Sequence, residues 1–223
     1  AGAAAGLLVC ADWQSAGRGR LQRRWESAPG AALLCSLLLR PVALSAQYAA
    51  HLTMITALAL ADAVVETTGV RPDLKWPNDL YVRGRKLAGI LTETKLADGY
   101  VQFAVIGFGL NLQRSFPDGH PLAKQSIALA ELCSIVPARE TLLRAVVQRL
   151  AEYDRRRRTG WSPHVAWSKR LLSLGLKVTV IAGDERWHGI VVGTNPAGAL
   201  QLRLSNGNLQ EIWAGDVTVM SPH

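Results

Sequence analysis

Apolar and polar positions along the chain follow changing rhythms, and each change marks an element. Short apolar runs at residues 6–12 and 31–39, bounded by glycine or proline, read as buried strands on either side of a polar, glycine-rich stretch. Residues 45–68 are rich in alanine and leucine, open on Ser45 as N-cap and stop at Gly69. That pattern predicts a helix that is apolar nearly all round and therefore buried. DLKW, LYV, KLAGILTETK and YVQFAVIGFGLNL then succeed one another across PND, GRK and DG turns, which predicts a strand meander. A short helix is expected over residues 126–132. A longer one, over about 139–158, carries Leu143, Val146, Val147 and Leu150 at helical spacing. Ser162 and Pro163 open another helix, expected to run through Leu172. The last fifty residues change character: LKVTVIA, RWHGIVVGT, ALQLRLS and LQEIWAG are short alternating runs between GD, NPAG and NG turns. The pattern predicts an α+β fold with a boundary near residue 174: a mixed β-sheet with packed helices over residues 1–174, then a small β-barrel over residues 175–223.

Composition narrows the setting more than the chemistry. The chain has 223 residues, enough for a substantial core, and a net charge of +8, which favours acidic partners such as nucleotides, nucleic acid or acidic proteins. Cys10, Cys35 and Cys133 show no CxxC or Cys/His spacing, so neither a disulfide framework nor a zinc site is signalled, and a reducing cytoplasm is the expected location. No apolar run is expected to span a bilayer. The opening AGAAAGLLVC has neither a charged n-region nor a Met, so the chain is expected to be incomplete at its N-terminus.

The candidate chemistry is concentrated in QSAGRGRLQRRW, residues 14–25. Gly17 and Gly19 allow close backbone approach, while Arg18, Arg20, Arg23 and Arg24 supply forks for phosphate or carboxylate oxygens. The alternative is a solvated basic turn. In KWPNDL, residues 75–80, Pro77 ends a strand and leaves Lys75 at its terminus, where it is either a surface charge or a site residue; Asn78 and Asp79 suit a turn. Gly89 in KLAGIL marks a bulge or a place where a flat ligand meets bare backbone. GFGLN, residues 107–111, lacks the third glycine and the following helix of a dinucleotide site. The histidines are scattered and suggest no relay or metal centre. Arg155 to Arg158 end a predicted helix, where cations complement its dipole; the alternative is a nucleic-acid patch, but no groove-reading element accompanies it.

Taken together, AGRGRLQRRW, KWPNDL, KLAGIL and IGFGLN resemble, in order and spacing, the biotin protein ligase family, whose loop reads GRGRxGRxW. The resemblance implies a catalytic domain of the class II synthetase type and an SH3-like C-terminal domain. It implies an enzyme that joins biotin to ATP as biotinyl-5'-AMP, with Mg2+, and passes biotin to a lysine of a biotin carboxyl carrier protein. Lys75, Arg18 and Arg20 match the catalytic positions. Gln14, Gly17, Arg18, Gly19, Arg20, Lys75 and Gly89 match the biotin site, and Arg18, Arg20, Arg23, Trp25 and Asn111 the adenylate site; no residue is assigned to a metal. The loop is expected to be too polar to pack without a ligand and to close over the adenylate as a lid. Two departures stand out: Gln22 occupies a family glycine position, and the family's Ser-Thr-Asn segment would lie upstream of this chain. No helix-turn-helix precedes the catalytic region, so specific DNA binding is not expected, nor is a membrane partner. Homodimerisation through a strand edge is left open. Alternatives are a lipoyl or octanoyl transferase of related fold, a non-catalytic biotin-sensing regulator, and a basic nucleic-acid-binding module.

Overall fold

The computed structural model describes residues 2–220. In chain order its elements are β1 (Leu8–Ala11), β2 (Gly17–Arg18), β3 (Arg24–Trp25), β4 (Ala32–Leu39), α1 (Ala50–Thr68), β5 (Asp73–Lys75), β6 (Asp79–Val82), β7 (Arg85–Ala97) and β8 (Tyr100–Asn111). There follow α2 (Arg139–Arg158), α3 (His164–Ser168), β9 (Lys177–Ala182), β10 (Glu185–Thr194), β11 (Leu200–Arg203), β12 (Leu209–Ile212) and β13 (Asp216–Val219).

The larger sheet has the order β1-β4-β8-β7-β6-β5. Its ladders are antiparallel, and parallel pairing is confined to isolated bridges such as Leu74 with Leu171 and Lys86 with Ser126. The period of two sorts its side chains. Leu33, Cys35 and Leu37 of β4, Ala88 and Ile90 of β7, and Ala104, Ile106, Phe108 and Leu110 of β8 join the core with α1. The intervening Leu34, Ser36, Gly89, Leu91, Gly107 and Gly109 border a cavity, whose wall Cys35, Ile90 and Phe108 also reach. β1 is an edge strand with Val9 and Cys10 exposed, not the buried strand its apolar run suggested.

α1 is the core helix, with every residue from Leu52 to Val64 buried except Thr53 and Asp62. It starts later than expected. A single 3-10 turn, Ala46–Tyr48, precedes it, and Ser45 bridges to Tyr100 without a side-chain cap. Gly69 closes it as read, at φ 74°, its N–H donating to Val65 O at 2.9 Å. The stretch Ala46–Thr68 is in fact long and apolar enough to cross a bilayer, contrary to expectation, but here its apolar surface is consumed by the sheet and by α2.

Two short helices also differ from the sequence pattern. Residues 126–132 give a bridge at Ser126 and one 3-10 turn, Leu129–Glu131. α3 stops at Ser168 because the following backbone is recruited by β5: Leu74 N–H donates to Arg170 O, and Leu172 N–H to Leu74 O at 2.8 Å. Ser162 does not cap it but shares a 2.8 Å hydrogen bond with His164 Nδ1. At the end of α2, Asp154 binds both Arg157 and Arg158, and the Arg156 guanidinium lies 4.2 Å from the Trp161 ring centre. These contacts tie three of the four arginines into the fold.

The second sheet is antiparallel, ordered β12-β11-β10-β9-β13, and includes a fifth strand, β13, that the apolar pattern did not reveal. It abuts the first sheet's layer through Trp76 Nε1–H donating to Gly198 O at 3.0 Å and His51 Nε2 meeting Pro196 O at 2.7 Å. Burial holds the His51 imidazolium below its ordinary pKa.

Candidate functional site

A cavity of about 300 Å³ opens on the glycine-bearing face of the larger sheet. Its lid is the arginine-rich segment, folded as a hairpin: Gly17 pairs with Trp25 and Arg18 with Arg24, and Gly19 N–H donates to Arg23 O at 2.7 Å. A Cβ on Gly17 would stand 2.4 Å from Trp25 O, so only glycine lets these strands approach. The expectation that this loop is too polar to pack alone is corrected by Trp25. Its indole lies across the glycine floor, where a Cβ on Gly109 would be 2.5 Å from Cε2 and one on Gly89 3.0 Å from Cζ3. The apolar ring anchors an otherwise polar hairpin. Its Nε1–H is buried without a partner.

Carboxylates from two different sheets hold the hairpin's arginines. Arg18 makes a two-pronged pair with Glu93 of β7, at 3.0 and 2.7 Å, and Arg23 makes another with Asp216 of β13. Asp216 correspondingly raises the Arg23 pKa, chiefly through that hydrogen bond. Arg20 turns inward, half-buried, with Nη1 3.5 Å from Asn78 Oδ1, and burial lowers its pKa. Leu21 and Gln22 at the hairpin tip both have positive φ, 53° and 60°. Gln22 therefore sits in a left-handed conformation that glycine would take without strain, at the position where the resemblance implies glycine.

Opposite the lid, the turn after β5 brings up the second set of groups. The Trp76–Pro77 peptide is cis, and Asn78 secures the turn to β7: its Nδ2 donates to Ile90 O at 2.5 Å, while Ile90 N–H donates to Asn78 O at 3.0 Å. Lys75 Nζ lies 3.4 Å from Tyr81 Oη and 4.6 Å from that ring's centre. Burial pulls the Lys75 ammonium below the usual lysine range, with Asp79 and Asp216 opposing, and pushes the Tyr81 phenol up to about 12. Lys86 Nζ pairs with the buried Asp79 Oδ1 at 2.8 Å, an ion pair without hydrogen-bond alignment, and stands 5.6 Å from the Trp25 ring centre.

Of the residues singled out from sequence, Gln14, Arg18, Gly19, Arg20, Arg23, Trp25, Lys75 and Gly89 line this one cavity. Gly17 lies in the hairpin behind it. Asn111 is off the cavity, in the wall of a smaller cleft; its Nδ2 donates to Lys86 O at 3.3 Å and Ile127 O at 3.2 Å, bracing the strand that carries Lys86. Lys86, Tyr81 and Asp216 were missed. Strict alternation back from Gly89 would put Leu87 in the cavity. However, β7 bulges against β6, so that Ala88 pairs with Leu80 but Lys86 with Tyr81, and this brings Lys86 round to the cavity and buries Leu87. Asp216 was missed with its strand.

A basic hairpin over a glycine floor, facing lysines at a strand end, makes a site suited to anions, and comparison with known proteins gives the class of protein, a ligase. Residues 2–111 match the model of the biotin/lipoate A/B protein ligase family, and residues 173–220 that of the biotin protein ligase C terminal domain. The biotin acetyl-CoA-carboxylase ligase of Paracoccus denitrificans is 35% identical over 202 residues, covering 87% of this chain and 83% of that protein. Its Mycobacterium tuberculosis counterpart is 32% identical, covering 95% and 78%. The bifunctional ligase/repressor BirA of Bacillus subtilis is 32% identical, but the chain spans only 66% of its length. Among solved structures, biotin protein ligase from Aquifex aeolicus in complex with biotin and ATP superposes with a TM-score of 0.82 at 27% identity, over 99% of this chain and 91% of that one. The chain belongs to the biotin protein ligase family.

Proposed function

We propose that the chain is an ATP-dependent ligase that condenses biotin with ATP to biotinyl-5'-AMP and pyrophosphate, then transfers the biotinyl group to a lysine of a biotin carboxyl carrier protein. The observation that carries this reading is the composition of the cavity wall: six cationic side chains, Arg18, Arg20, Arg23, Arg24, Lys75 and Lys86, against three carboxylates. The first step brings a carboxylate onto the α-phosphate of ATP, two anions whose repulsion in a partly dry site must be cancelled by fixed positive charge.

Lys75 and Lys86 hold the biotin carboxylate and the α-phosphate oxygens from the strand side, while Arg18 and Arg20 cover them from the lid. Their charge is worth most as it accumulates on the phosphorus oxygens, and orientation supplies much of the remainder. Gln14 supplies an amide to biotin's ureido ring beside the bare backbone of Gly89. Trp25 marks the adenine side of the cavity, and Asn111 supports that side from behind by bracing the backbone of Lys86. Mg2+ belongs with ATP: Asp79, Glu93 and Asp216 are each paired with a cation, and the described residues hold no group of three or more acidic, His or Cys side chains suited to a metal. In the second step the acceptor amine attacks the anhydride carbonyl and AMP leaves, with the closed lid keeping water out. The same reading puts the protein in the cytoplasm, with its nucleotide and carrier protein.

The test is biotin-dependent exchange between labelled pyrophosphate and ATP. The folded protein is expected to catalyse it with Mg2+ and biotin and to lose it when lipoate replaces biotin. Exchange with lipoate alone, or none with either acid, overturns the reading.

A further inference from the structure

Cys10 of β1, off the cavity, and Cys35 of β4, which reaches its wall, stand directly opposite each other on antiparallel strands, with their sulfurs 3.1 Å apart. Both are free thiols. Opposed residues on antiparallel strands have Cα atoms about 4.5–5.5 Å apart, inside the roughly 4.4–6.8 Å that a disulfide spans. Closing the bond needs the sulfurs to approach from 3.1 Å to about 2.05 Å, a movement that side-chain rotation supplies. Cys10 is exposed at the sheet edge, whereas Cys35 is buried among Leu33 and Leu37. The two bracket the segment that contains the whole arginine hairpin.

We propose that Cys10 and Cys35 form a thiol-modification site, a paired dithiol that a low-molecular-weight disulfide converts to an intramolecular disulfide, closing a covalent loop around the hairpin. Cys10, as its thiolate, attacks one sulfur of the small disulfide; a Cys10 mixed disulfide forms and one small thiolate leaves. The Cys35 sulfur then attacks the Cys10 sulfur, the Cys10–Cys35 bond forms, and the second small thiol departs with the Cys35 proton. Two protein thiols are oxidised and one small disulfide is reduced to two thiols. The order follows from access and burial. Only Cys10 is open to the reagent, and burial, together with the hydrogen bond to Cys10, raises the Cys35 pKa well above the ordinary thiol range. Cys35 resolves because its sulfur is already in place.

The experiment equilibrates the whole chain with buffers of oxidised and reduced glutathione and follows intact mass, disulfide-mapped peptides and thermal melting. Wild type and Cys133→Ser are expected to lose two hydrogens, to yield a Cys10–Cys35 linked peptide, to melt on the order of 5–10 °C higher through the closed loop, and to revert with reductant. Cys35→Ser is expected to accumulate one glutathione on Cys10, and Cys10→Ser to take up none at position 35. A wild-type protein that stops at the Cys10 adduct, links through Cys133 instead, or keeps all three thiols overturns the proposal. None of these readouts depends on biotin or ATP, so the assignment stands or falls separately from the proposed activity.

Discussion

Gly109 is where one methyl group should dissociate the lid from the sheet while leaving the fold intact. In Gly109→Ala the new Cβ would lie 2.5 Å from both Cε2 and Cζ2 of Trp25 and 3.0 Å from its Nε1. Carbon contacts settle near 3.5–4.0 Å, so the ring must retreat by about 1 Å or more. The backbone cannot yield, because Gly109 is paired on one side with Leu34 and on the other with Gly89. Keeping the ring in place would cost about 1–3 kcal/mol of overpacking. Releasing it forfeits about 1.5–3 kcal/mol of apolar burial. Release also returns to water the Nε1–H that is buried without a partner, recovering about 1–3 kcal/mol. Release therefore leaves only a small net cost, below that of overpacking, so Trp25, a marginal anchor in the native hairpin, leaves and global stability barely changes. The melting temperature is expected to move by no more than about 4 °C. The Trp25 contribution to fluorescence, read against Trp25→Phe, should shift red, and biotin-dependent pyrophosphate exchange should drop about 10²-fold from misplacement of the lid. Gly89→Ala is the internal control: its Cβ would meet Trp25 Cζ3 and the flexible end of Lys86 at 3.0 Å, so its defect should be smaller. A Gly109→Ala protein with an unmoved Trp25 signal and full exchange, or a larger defect in Gly89→Ala, refutes the account of the floor.

Lys75→Met is expected to lower the exchange rate by about 10²-fold or more, as for loss of a transition-state charge partner. It should nonetheless raise the melting temperature at pH 7. The sign follows from the lowered Lys75 pKa: the unfolded chain holds that proton more tightly, so the charged lysine opposes folding at neutral pH, and this is relieved only as pH rises through the folded pKa towards the unfolded value. In wild type, the alkaline limb of the exchange rate should fall below the usual lysine range, and Lys75→Arg should move it up. Asp216→Ala frees Arg23 from a solvent-exposed pair; stability should change by less than about 1 kcal/mol. The KM for ATP should rise several-fold as the lid loses its tether, and a fall in KM would contradict the tether. Asn111→Ala leaves the Ile127 carbonyl without its donor, while the Lys86 carbonyl keeps the Ile127 N–H, and should cost about 1–3 kcal/mol in denaturant melts.

The sheet meander and α2 were legible because turns and periodicity agree over long stretches. Elements failed where tertiary contacts override local pattern. β5 captures the backbone after Ser168 and cuts α3 short, and the edge position of β1 exposes a run that composition alone would bury. At the site, the motifs located the loop and the turn but not their neighbours. Lys86 was hidden by a bulge that reverses strand parity, and Asp216 by distance, since it reaches the lid from a sheet that begins over a hundred residues later in the chain. Neither signal exists in the local sequence of the loop they serve.

Gln22 shows what that long-range support does. In the left-handed region, at φ 60°, a non-glycine residue costs about 1–2 kcal/mol, and Leu21 at φ 53° beside it adds to the strain. The tip is nevertheless held between Arg18, paired to Glu93, and Arg23, paired to Asp216. The tethers, together with the Gly19–Arg23 and Arg23–Arg20 backbone hydrogen bonds, thus impose on the chain a turn it would not choose alone. In Gln22→Gly the strain at that residue disappears, while the open loop gains about 0.4–1 kcal/mol of conformational freedom. The balance favours the closed hairpin by about 0.5–1 kcal/mol, a roughly two- to five-fold change in its opening equilibrium. Trypsin cleavage after the loop arginines should therefore slow two- to five-fold in Gln22→Gly and be unchanged in Gln22→Ala, which keeps the strain, and biotinyl-AMP should slow it further in all three proteins. Faster cleavage of Gln22→Gly would mean that side-chain contacts of Gln22, not the tethers, hold the tip.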